Sequence, residues 1–91
     1  MNRKMLVRKL GEIEGLLASG EPLTIGAEFL PDHGISVLMG AGGKMLVMSP
    51  QVARRVADVF DCPAAHAVGL TVAKDLRDAA AAGDAFRNSM Q

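Results

Sequence analysis

From Pro22 to Met48 the apolar residues recur at every second position, in three short runs joined by glycine-bearing turns. Side chains alternate across a strand but return every three to four residues around a helix, so this period restricts the segment to β-structure. Leu23, Ile25, Ala27 and Phe29 share one side of the first run, with Thr24, Gly26 and Glu28 on the other. Pro31-Asp32-His33-Gly34 reads as a turn: proline presets the first turn angle, aspartate can bond the following backbone, and glycine accepts a positive φ. Ile35, Val37 and Met39 then alternate with Ser36 and Leu38, Gly40-Ala41-Gly42-Gly43 reverses the chain again, and Lys44 to Met48 forms a third run, apolar on both sides. Connections this short join antiparallel neighbours, because a parallel return needs a dozen residues or more.

The flanks read as helix. Leu6, Leu10, Ile13 and Leu17 line one face of a helix from Arg3 to Ala18, which Ser19-Gly20 stops and Pro22 cannot continue. After the sheet, Ser49 supplies an N-cap and Pro50 a first-turn residue, and Val52, Val56, Val59 and Phe60 form the apolar stripe. Asp61-Cys62-Pro63 interrupts this helix and starts another, whose stripe is Ala65, Val68, Val72, Leu76 and Ala79. Periodicity is lost after Gly83, so residues 84–91 are expected to fray. The expected fold is a single α+β domain over residues 1–83: helix, three-stranded antiparallel β-meander, then two helices (α-β-β-β-α-α).

Size and composition narrow the function classes. A chain of 91 residues supports one core, and a domain this small buries only about 60% of its unfolded surface. Three phenylalanines, no tryptophan and no tyrosine make that core aliphatic. Ten basic and ten acidic residues cancel, which removes the overall attraction to phosphate expected of a dedicated nucleic-acid binder. A lone cysteine forms no internal disulfide, which favours a reducing, cytoplasmic setting, and no apolar run is long enough to span a membrane.

No segment carries a cofactor or catalytic signature. Gly40-Ala41-Gly42-Gly43-Lys44 resembles a phosphate loop only in outline: Leu38 stands where a P-loop needs glycine, Met45 where it needs serine or threonine, and a strand follows instead of a helix. Cys62 and His66 are one helical turn apart, a spacing that would suit a thiolate and its base, but no third group orients the histidine. Adding His33 makes a zinc set whose spacing matches no compact metal motif. No cofactor and no metal are expected.

The remaining readings are surfaces. Leu30 and Leu38, with either Met45 and Val47 or Leu46 and Met48, make the second face of the sheet too apolar for solvent, so either the third helix or another molecule must cover it. Arg3, Lys4, Arg8 and Lys9, joined by Arg54 and Arg55 if the first two helices lie side by side, form a basic surface for an acidic protein or, alternatively, a nucleic-acid backbone. The expectation is a non-enzymatic protein-interaction module, an adaptor, regulatory subunit or small inhibitor that self-associates through its sheet as a homodimer.

Overall fold

A computed structural model describes residues 3–61 and 67–89, the side chains of Ala67 and Val68 excepted. The element order is α1 (Arg3–Ala18), β1 (Thr24–Leu30), β2 (Gly34–Ala41), β3 (Lys44–Met48), α2 (Pro50–Phe60) and α3 (Ala67–Ser89). The sheet has the order β1-β2-β3 with both pairs antiparallel. This is the α-β-β-β-α-α meander the periodicities imply.

Local chemistry accounts for the boundaries. Gly42 and Gly43, at φ 58° and 80°, are the two positive-φ residues of the β2–β3 hairpin. A two-residue turn with both central φ values positive matches the right-handed strand twist, and side chains larger than hydrogen resist it. Gly40 and Ala41, expected in the turn, instead extend β2. The Ser49 hydroxyl accepts the Val52 N–H at 3.1 Å, and Pro50 opens α2. Ser49→Ala is therefore expected to cost about 1 kcal/mol, a fall in Tm of about 4–8 °C in thermal melts.

Register decides which side of the sheet is core. Ile25 pairs with Met39, Ala27 with Val37 and Phe29 with Ile35, while Val37 pairs with Met48 and Met39 with Leu46. Cross-strand partners point to the same side, so these residues make one face. Val37, Met39 and Met48 from that face are buried with Ile13 and Leu16 of α1, Ala53, Val56 and Ala57 of α2, and Val72, Ala73, Leu76, Ala79 and Ala80 of α3. The small alanines let the helices approach closely, which is how an aliphatic core without buried aromatics is filled.

All three helices thus pack on one face, α3 included. A Cβ added to Gly83 would lie 2.9 Å from Ile35 Cγ2, 3.6 Å from Pro50 Cγ and 3.7 Å from Ala27 Cβ, so α3 crosses β1 and β2 at its glycine. Gly83 is a packing residue inside α3, which extends to Ser89. A line of ion pairs fastens α3 to α2: Arg54 with Asp84, Arg77 with Asp58 at 2.8 Å, and Arg77 with Asp61 at 2.5 Å. Hydrogen bonds from the guanidinium to Asp61 and then Asp58 hold Arg77 above its ordinary pKa, so it stays charged.

Candidate functional site

The second face of the sheet carries no helix among the described residues. Register places Gly26 beside Leu38, Glu28 beside Ser36 and Leu30 beside Gly34 on this side. Leu38 pairs in turn with Val47, and Gly40 with Met45. Of the two third-strand sets open from sequence, Met45 with Val47 is therefore the one on the uncovered face. Leu46 and Met48 turn toward the helices, Leu46 packed against the core and Met48 only 4% exposed, so neither is available to a partner on the opposite face. Met45 is 62% exposed, and Leu30, Leu38 and Val47 are half-buried. Gly26 and Gly40 leave a shallow groove of about 250 Å³ between Thr24, Glu28, Leu38 and Met45. The buried Ser36 hydroxyl donates to the Gly34 carbonyl at 3.2 Å, so among the described residues no buried side-chain polar atom lacks a partner; Thr24 and the exposed Glu28 are the other polar side chains on this face.

The two edges of the sheet differ. β3 is short, begins with Lys44, and has its Val47 carbonyl capped at 3.2 Å by the Lys9 ammonium from α1. Such features keep a sheet edge from pairing with other chains. β1 has none of them: it is seven residues long, carries Glu28 as its one charge, and contains no proline or lysine. Beside it lies an apolar cleft of about 490 Å³ between Ala27, Phe29 and Ile35 of the sheet and Ala82, Gly83 and Phe86 of α3. Phe29 and Phe86 are each 49% exposed on its walls.

This cleft escapes a reading by periodicity because Gly83 looks like a helix end. Its signal is nonetheless present: Leu76, Ala79, Ala80, Gly83 and Phe86 recur at spacings of three and four, a helical stripe with a glycine in it.

The basic surface is divided by the fold. Lys9 turns to the β3 edge and also lies 3.7 Å from Glu12, and Arg54 turns to Asp84 on α3. Arg3, Lys4, Arg8 and Arg55 are exposed and make no ion pair among the described residues. Lys74 pairs with Asp78 at 2.8 Å one turn along α3, which raises the lysine pKa, an ordinary helix-surface pair. Cys62 and His66 lie outside the described residues. Among the described residues no group of three histidine, cysteine, aspartate or glutamate side chains could hold a metal, and no helix is long and apolar enough to cross a membrane. No family model, curated protein or solved structure matches the chain.

Proposed function

We propose that this protein is a non-enzymatic interaction module that works through its sheet and associates with itself. The observation that carries the reading is the one-sidedness of the packing: three helices share one face, and Leu30, Leu38, Met45 and Val47 remain on the other. An adaptor, regulatory subunit or small inhibitor, acting within the cytoplasm, would use such a surface.

Arg3, Lys4 and Arg8 on α1 and Arg55 on α2 stay exposed as secondary candidates for an acidic partner, and no geometric observation favours a nucleic-acid backbone over it. Light scattering over a dilution series tests the proposal. The expected mass falls from two chains toward one as the protein is diluted. One chain at every concentration would count against self-association.

A further inference from the structure

Granting that the chain associates through its sheet, we infer that two copies join along β1, antiparallel and centred on Ala27, into one continuous six-stranded sheet. Edge pairing of this kind satisfies the outward N–H and C=O groups that an edge strand leaves unmet. The fold selects β1 for it, since the β3 edge is short and capped by Lys9 while β1 is long, lacks lysine and proline, and carries Glu28 as its one charge. Five of the seven β1 residues are exposed.

The strand is complementary to itself. Thr24 to Leu30 overlaps fully with a reversed copy only when Ala27 meets Ala27 of the second copy on the two-fold axis. In that register Ile25 lies opposite Phe29, and Glu28 lies opposite Gly26. Each carboxylate therefore faces a glycine and is displaced from its own copy, where a register pairing Glu28 with itself would set like charges directly opposite. Ile25 and Phe29 belong to the helix-covered face, and Phe29 is half exposed there in the single chain. Pairing with Ile25 of the second copy covers that ring and brings the two Phe29–Phe86 clefts to the same side of the joined sheet. The uncovered faces lie side by side on the other side of the joined sheet.

Gly26 makes the register testable by the sign of a charge. A Cβ at Gly26 meets nothing within 4 Å and its φ is not in the left-handed region, so larger residues fit the folded chain. In the inferred dimer Gly26→Lys places two lysines opposite Glu28 of the other copy, and Gly26→Glu places two glutamates there. Sedimentation equilibrium at low salt is expected to show the lysine variant dimerising about fivefold more tightly than wild type and the glutamate variant about fivefold more weakly. Adding Glu28→Lys to Gly26→Glu is expected to restore the affinity. If both Gly26 variants weaken the dimer equally, the copies meet face to face and the edge register is overturned, while association through the sheet stands. A wild-type protein of one chain's mass at all concentrations overturns both.

Discussion

Truncating Leu76 to alanine is expected to lower the melting temperature by more than about 10 °C, whereas Leu70→Ala on the same helix shifts it by only a few degrees. Leu76 has no solvent exposure and sits among Val37, Met39 and the alanines of α2 and α3. Removing a buried leucine loses its transfer free energy and leaves a cavity, together about 2–5 kcal/mol. The cost falls toward the upper end here because Ala53, Ala57, Ala73 and Ala80 have no rotamers with which to fill the space. A domain of this length has roughly 5 to 13 kcal/mol of stability in total, so the loss is a large fraction of it. Leu70, 46% exposed, has little burial to lose. Circular dichroism melts of the two variants check this, and equal losses would contradict the core as described.

The second large effect concerns Gly83, and its sign separates packing from helix propensity. In an open helix position Gly→Ala stabilises by about 0.5–1 kcal/mol, which is expected for Gly15 of α1, where an added Cβ meets nothing within 4 Å. At Gly83 the same Cβ would lie 2.9 Å from Ile35 Cγ2, closer than side-chain carbons approach, and that methyl sits on a branched Cβ with few alternative positions. Gly83→Val is expected to cost about 1–3 kcal/mol by prying α3 from β1 and β2. Ile35→Ala should recover part of that loss in the double variant, because it removes the atom that clashes. Melts showing Gly15→Ala and Gly83→Val equally stabilising would mean that α3 does not cross the sheet here.

These two sites show where sequence reasoning reached and where it stopped. The meander was legible because its signals are local: alternation in Ile35, Val37 and Met39, positive-φ glycines at the hairpin, and the Ser49-Pro50 start. Which face of β3 joins the core was not, because Lys44 to Met48 is apolar on both sides and only the register with β2 chooses Leu46 and Met48 for the interior. Gly83 misled for a different reason. A glycine that ends a helix and a glycine that lets a helix touch a sheet are identical in sequence, and only Ile35, distant along the chain, distinguishes them. The six cations on α1 and α2 were divided by the same kind of long-range event, Lys9 bonding Val47 and Arg54 pairing with Asp84. The contrast between a capped β3 edge and a bare β1 edge likewise exists only once strand order and the Lys9 contact are known.

The central claim, that the sheet is the element through which copies of this chain meet, is tested most directly by amide hydrogen exchange at high and low protein concentration. Association protects the amides it buries or bonds, and amides elsewhere keep the rates of the single folded chain. The expected result is concentration-dependent protection between Thr24 and Met48, strongest in Thr24–Leu30, with α1 and α3 unchanged. Protection that is identical at both concentrations, or that grows only in the helices, would contradict it.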